Sequence, residues 1–596
     1  MKTGFRRSDV RKKTDDQGGS ARARLLVFFV VGGALAILTR LYFVQVLNHE
    51  RWEGIASSQY TMKNAIQAER GQIFFHDRGE LYSVAVNRDE PYAFIVPRDI
   101  DDEGKVAEML SEILGMEREN IEKKMERKDD PFELVKKRLS EDEVSRIKAL
   151  QIKGIYLGFE TNRYYPGGEF ASSLIGFVAN RKDGQVGMEG KYGLEAAFNA
   201  SLQGRDGSLK EQRDSAGRWI SLTDRTMSPA EDGDDLILTI DRTVQFEAER
   251  ILRDSIEKYA AEGGTIVVME PKTGNILAMA TLPQFDPNKF GEVEKYEIFL
   301  NDATSIAYEP GSVMKPLTMA MGIEEKKVNP RTEYVDTGVV TEAGYNLKNA
   351  EGKVYGRSDM YRVLDESINT GVIFVERLLG NSVFREYVNN FGFGEKSGFG
   401  FPGEVSGSLK NMNDTRQSIN FFTASFGQGI TATPLQLVQA YAALGNNGVL
   451  MKPRLVEKII HGNGREEMVR PEPVRRVVSE ETAKVMGDML RSVVVNGHGK
   501  RADVPGYLVG GKTGTAQIAK TDQKGYDENL SIGSFVGYAP MNEPKFAISV
   551  KFDRPKNVEW AESSAAPVFG KMMKFLLEYY QVQPTEAIQD GLHRIQ

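Results

Sequence analysis

One apolar run constrains this chain more than any other feature. LLVFFVVGGALAIL spans Leu25 to Leu38, and after Thr39-Arg40 the run continues as LYFVQVL to Leu47. At about 1.5 Å per helical residue the two pieces together reach across a bilayer. Arg40 lies well past the middle, where its aliphatic stem lets the guanidinium snorkel to the far interface. Ahead of the run stand Lys2, Arg6, Arg7, Arg11, Lys12, Lys13, Arg22 and Arg24, against only Asp9, Asp15 and Asp16. The positive-inside rule therefore leaves residues 1–24 in the cytoplasm as a basic tail. The apolar core exceeds a usual signal-peptide h-region and no A-x-A-like site follows it, which favours an uncleaved anchor. No later segment is comparably apolar. The expected arrangement is a single-pass anchor, residues 25–47, in the cytoplasmic membrane, with a large body beyond it on the outer side.

The 596 residues suffice for several domains. With 77 basic against 84 acidic side chains the formal charge is -7, so the basic surplus of a nucleic-acid binder is missing. No cysteine occurs, which removes thiolate nucleophiles, Cys-rich zinc sites and disulfides together. The five histidines, His49, His76, His461, His498 and His593, include no pair at the close helical spacing of a metal site. A histidine-based triad is poorly supplied.

Residues 48–232 read as a mixed, elongated module. Gly115 to Leu150 alternates charge signs with apolar residues at helical spacing, as in amphipathic helices whose charges form a solvated face. YAFIV, Tyr92 to Val96, reads as a strand. AEDGDD, ending at Asp235, reads as a boundary, because LILTID follows as a strand and VQFEAERILRDSIEKYA as a helix. From residue 233 to about 580 the texture is that of one large domain, with residues 581–596 as a tail. Within it TIVVMEP and GNILAMAT predict a hairpin across Lys272-Thr273-Gly274, and FAISVKF a further buried strand.

Three short motifs carry chemistry. EPGSVMKP sets Ser312 three residues before Lys315, a spacing that on a helix places both side chains on one face. A serine hydroxyl needs a base, and a lysine serves if burial or a neighbouring cation lowers its pKa. YRVLDESINTG then places Ser367 two residues before Asn369. Finally GYLVGGKT, Gly506 to Thr513, satisfies the phosphate-loop pattern G-x-x-x-x-G-K-[ST] letter for letter. That loop must open into a helix, whereas Thr513-Gly514-Thr515-Ala516-Gln517-Ile518 alternates like a strand. The phosphate reading therefore fails on context, and with it a cytoplasmic ATPase.

S-x-x-K, S-x-N and K-T-G in this order resemble the penicillin-recognising serine acyltransferases, whose fold is a five-stranded antiparallel sheet flanked by helices. The chain as a whole resembles a class B penicillin-binding protein of the division or spore-septum type, FtsI-like. RGQIFFHDRGEL (Arg70 to Leu81), a variant of the usual R-G-x-I-x-D-R-x-G element, RYYPGGEFASSLIGFV and GMEGKYGLEAAFNASLQGRDG match its pedestal. DDLILTIDRTVQ matches the entry to its catalytic domain, and FGQGITATPLQLVQAYAALGNNG the stretch between the second and third motifs. The implied fold class is α+β: an N-terminal transmembrane helix, a mixed α/β pedestal (dimerisation-type) domain over 48–232, and a transpeptidase domain over 233–580.

The resemblance implies a D-Ala-D-Ala transpeptidase of septal peptidoglycan synthesis, inhibited by β-lactams. Ser312 would be the nucleophile, Lys315 the general base and Ser367 a proton relay. Asn369 would bind the substrate amide and steady Lys315, and Lys512, with Thr513 and Thr515, would meet the substrate carboxylate. The amides of Ser312 and Thr515 would form an oxyanion hole, and Gly514 would let the substrate lie along the strand. The family needs no metal and no organic cofactor, and its implied partners are stem peptides, the membrane, a SEDS-type FtsW-like glycosyltransferase and other division proteins. An elongation-type transpeptidase, or a membrane-anchored β-lactam sensor or β-lactamase, would share all three motifs.

Overall fold

The computed structural model of the chain describes residues 17–48, 61–181, 187–212, 226–519, 526–558 and 560–584. It divides into two units, the smaller comprising residues up to 68 together with 205–230. In the smaller unit the apolar run forms the helix Gln17–Tyr42, prolonged by a wider turn of π type over Phe43–Leu47. The 23 residues Leu25–Leu47 have a mean hydropathy of 2.1 and bury none of it against protein. Length and composition allow this helix to cross a membrane. The same unit holds a three-stranded antiparallel sheet of Thr61–Ile66, Gly207–Gln212 and Thr226–Ser228.

The larger unit begins with β1 (Ile73–Asp77) and β2 (Glu80–Ile95), joined by a two-residue turn in which Arg78 and Gly79 both have positive φ, 52° and 90°. That geometry matches the twist of the flanking strands. The residues that set RGQIFFHDRGEL apart from the commoner family form thus build a strand and its hairpin turn. β3 (Glu133–Lys136) and β4 (Ile155–Tyr164) both pair with β2. β5 (Asp235–Asp241) then lies parallel to β1, so LILTID joins the sheet built by the preceding segment.

Across 115–150 the charged stretch forms two short helices, Arg118–Met125 and Glu141–Leu150, with β3 between them. Its charges are mostly solvated, with one departure. Glu133 is 7% exposed and meets Lys124 at 3.4 Å and Arg127 at 3.2 Å. A 3.6-residue pattern interrupted by Asp129-Asp130-Pro131 breaks where the proline cannot continue a helix.

The helix read after LILTID is α1 (Arg242–Tyr259), capped by the Asp241 carboxylate, which accepts from the Val244 amide at 3.0 Å. β6 (Gly263–Met269) and β7 (Ile276–Leu282) form the expected hairpin. Then come α2 (Lys315–Glu324), α3 (Asn369–Leu379), α4 (Pro434–Gly445) and α5 (Glu480–Val495), followed by β8 (Gly510–Ala519), β9 (Tyr526–Ala539), β10 (Phe546–Asp553) and α6 (Ala565–Tyr579). The sheet order is β7-β6-β10-β9-β8, antiparallel throughout, with β8 at the edge.

The four residues from Ile266 to Met269 are continuously apolar because both faces of β6 are covered. Ile266 and Val268 pack with Leu252 of α1 and Phe569 and Met573 of α6. Val267 and Met269, one residue out of phase, join Leu437 and Tyr441 of α4 in the other core. Every residue of α4 is buried, and its two glutamine side chains, Gln436 and Gln439, donate to the Glu395 and Met451 carbonyls. Its start is fixed by Thr433 and Gln436 in a reciprocal cap with Pro434 in the first turn.

Candidate active site

The first motif does not start as an α-helix. Gly311–Met314 is a 3-10 turn, and α2 begins only at Lys315. In a 3-10 turn residues three apart eclipse, so the expected shared face of Ser312 and Lys315 is kept with a tighter winding. Buried Tyr441 of α4 pins the turn by donating its hydroxyl to the Val313 carbonyl at 2.7 Å. The turn also abuts β8: a Cβ on Gly514 would come within 2.8 Å of the Pro310 carbonyl and 2.9 Å of Val313 Cγ1. Gly514 therefore permits a close approach between the first and third motifs, in addition to any approach by a ligand. Among the described residues the Ser312 side chain forms no hydrogen bond.

Lys315 is 1% exposed and donates to both the carbonyl and the hydroxyl of Ser367, the latter at 3.1 Å. Ser367 holds φ at 55°, a left-handed conformation costly for a residue with a Cβ. Such strain persists where surrounding structure imposes it, commonly at functional sites. Burial holds the Lys315 ammonium well below its usual range, and the nearby charge of Lys512 adds to this. A neutral amine has a lone pair left to take a proton.

Lys512, fully buried on β8, sits beside its neighbour Thr513, whose hydroxyl and carbonyl it reaches at 3.2 and 3.3 Å. Burial brings its pKa down to about 7, while Asp365 and Glu562 act in the opposite direction. The segment after Lys512 is a strand and not a helix, so no phosphate-loop cradle exists. Thr515 accepts the Ala561 amide on its hydroxyl at 3.2 Å.

Asn369 opens α3 and donates its side-chain amide to the Lys348 carbonyl at 2.8 Å. The expected contact steadying Lys315 is instead supplied by Ser367. Thr370 links the same helix start to Asn349 and to Asp336, a carboxylate 2% exposed that also accepts from Gly338, Asn349 and Tyr355. Sequence reasoning passed over Asp336, Asp365 and Glu562, and weighed His498 only as a metal or triad residue. Only Asp365, two residues before Ser367, stood close enough to a motif to attract notice.

The buried Lys315 and Lys512 and the part-buried Ser312 and Ser367 thus come together at the edge strand of an antiparallel sheet. "Penicillin-binding Protein dimerisation domain" matches residues 65–238, and "Penicillin binding protein transpeptidase domain" matches residues 264–574. Stage V sporulation protein D of Bacillus subtilis is 33% identical over 576 residues, covering 95% of this chain and 87% of its own length. The peptidoglycan D,D-transpeptidase FtsI of Buchnera aphidicola is 28% identical over 94% of this chain and 96% of its own. Penicillin Binding Protein 2X of Streptococcus thermophilus shares the fold with a TM-score of 0.73 at 24% identity, covering 87% of this chain and 80% of its own. Penicillin binding protein 3 of Mycobacterium tuberculosis, solved with aztreonam, superposes with a TM-score of 0.67 at 25% identity, over 88% and 99% of the two chains. With both domains matched and the cluster in place, the chain belongs to the class B penicillin-binding proteins, transpeptidases that carry a dimerisation domain ahead of the penicillin-binding one.

Proposed function

We propose that this chain cross-links peptidoglycan stem peptides in septal wall synthesis, through an acyl-enzyme on Ser312. The observation that supports the reading most is the environment of Lys315: buried, hydrogen-bonded to Ser367 and set beside a second buried lysine. Lys315 takes the Ser312 proton as Oγ attacks the carbonyl between two D-alanines. Ser367 passes a proton to the departing D-alanine amine as the C–N bond breaks. An amine of a neighbouring stem then attacks the ester and regenerates the serine. Lys512, Thr513 and Thr515 hold the terminal carboxylate, and Asn369 the substrate amide. The amides of Ser312 and Thr515 stabilise the oxyanion, a device worth about 3 kcal/mol per donor. The open edge of β8 suits an extended peptide.

Incubating the protein with a penicillin is expected to add one penicillin mass, mapped to the peptide containing Ser312 and retained for hours. An adduct on another residue overturns the nucleophile, and loss within seconds points to a β-lactamase. Likeness to a sporulation protein and to FtsI supports the septal role. Depletion in the host should then block septation; rounding of cells instead would indicate the elongation role. The anchor and the pedestal are the surfaces proposed to meet the FtsW-like partner.

The acylation rate should depend on pH through Lys512. Its folded pKa lies near 7, below the usual 10.5, so its charge is present below about pH 7 and is lost as pH rises through that value. Carboxylate capture weakens accordingly. The second-order acylation constant is expected to fall on the alkaline side with a midpoint near 7 in the free enzyme; a profile flat from pH 6 to 9 contradicts this assignment.

A further inference from the structure

We infer that His498 is a positioning residue that ties the two walls of the site together through Glu562. The inference rests on the acyl-serine reading above and adds to it a device that sets the carboxylate pocket.

His498 lies in the short turn after α5. Its backbone amide donates to the Asp365 carbonyl at 3.3 Å, in the segment that leads into Ser367. The turn approaches that segment so closely that a Cβ on Gly497 would fall 2.5 Å from the same carbonyl oxygen, which leaves glycine as the residue that fits. On its other side the imidazole Nδ1 meets the Glu562 carboxylate at 3.0 Å, and Nε2 lies 4.0 Å from Glu366. Carboxylate oxygens facing a ring nitrogen at that distance require Nδ1 to carry its hydrogen.

Glu562 directly follows Ala561, whose amide donates to the Thr515 hydroxyl at 3.2 Å. A hydroxyl has one proton and two lone pairs. With one lone pair occupied by Ala561, the remaining Thr515 proton is directed away from the loop, toward a bound carboxylate. The Ala561 carbonyl is fixed as well, accepting from Ser564 at 3.3 Å and Ala566 at 3.0 Å at the start of α6. The Glu562 charge also acts on Lys512. His498 therefore connects the Ser367 wall, by its backbone, to the Lys512–Thr515 wall, by its ring. An ion pair as exposed as this one, with side chains 43% and 38% accessible, adds little to global stability. Its consequence is geometric, and small displacements of a binding group cost large factors in rate or affinity.

The test uses the full chain in detergent and a fluorescent penicillin, separating the saturation constant K from the limiting acylation rate. Saturating label counts the folded sites, so a misfolded fraction does not enter K. His498→Ala and Glu562→Ala are each expected to raise K roughly tenfold while the limiting rate stays within about threefold. The double variant should be no worse than either single one, because both remove the same link. His498→Asn, whose amide nitrogen can take the place of Nδ1, and Glu562→Gln, which keeps the acceptor, should restore K to within about threefold of the wild type. An unchanged K in both alanine variants overturns the proposal. So does a His498→Asn protein as weak as His498→Ala, since the ring's packing would then be the cause. Labelling that persists in Ser312→Ala overturns the underlying acyl-serine reading instead, so the two failures are told apart by different variants.

Discussion

Replacing Lys315 by methionine is expected to slow acylation of Ser312 by penicillin by about 10² to 10⁴-fold, the range associated with loss of a general base. Methionine keeps the length and most of the volume of the buried stem and removes the amine. The variant should nonetheless melt no lower than the wild type. Two donations to Ser367 disappear, each with a net contribution of about 1 kcal/mol. Against this, the folded state no longer has to bury an amine. Lys315 has its folded pKa below the unfolded value, so the unfolded chain binds its proton more readily and the wild type is penalised below the unfolded pKa, less so as pH rises. Lys315→Arg should not rescue the rate, because a guanidinium stays protonated. Stopped-flow acylation checks the prediction, and a rate within about fivefold of the wild type would move the base elsewhere. Ser312→Ala in the same assay should give no covalent adduct.

The largest stability effect is expected at Glu195, in the segment that precedes the transpeptidase domain. Its fully buried carboxylate meets Arg70 at 2.6 Å and Arg163 at 2.6 Å, and accepts from Tyr165 at 3.3 Å. Burial pushes its pKa upward, but the two guanidinium groups outweigh this and hold it below the usual carboxylate range. Glu195→Ala leaves two buried arginines without their counter-charge, and removing one partner of such a group typically costs about 3 to 5 kcal/mol. Denaturant unfolding should show a lower midpoint, with penicillin acylation of the surviving folded fraction unchanged. A loss below about 1 kcal/mol would mean that water reaches the arginines. Because the folded pKa is depressed, this stabilisation is present above the unfolded carboxylate pKa near 4.5 and is lost as pH falls through the lower folded value.

The sequence by itself determined the parts that depend on local chemistry. The apolar run dictated a helix able to span a membrane, TIVVMEP and GNILAMAT dictated a hairpin across Lys272-Thr273-Gly274, and alternation after Lys512 excluded a phosphate loop. These are readable because period, length and backbone restrictions act within a few residues. Motif order also brought Ser312, Lys315, Ser367 and Lys512 into one hypothesis.

Only the tertiary structure decided how those groups interact. The 3-10 turn at Ser312 is set by Tyr441 and by Gly514 packing beneath it, and the left-handed Ser367 by the contacts around it. That Lys315 lies near Lys512, that Arg70, Arg163 and Glu195 share one buried site, and that His498 reaches Glu562 all follow from strand register and helix packing. A lysine's composition is the same in solvent and in a core. Its pKa, and therefore its role as base or as anion anchor, is fixed by desolvation and by neighbouring charges that only the folded chain assembles.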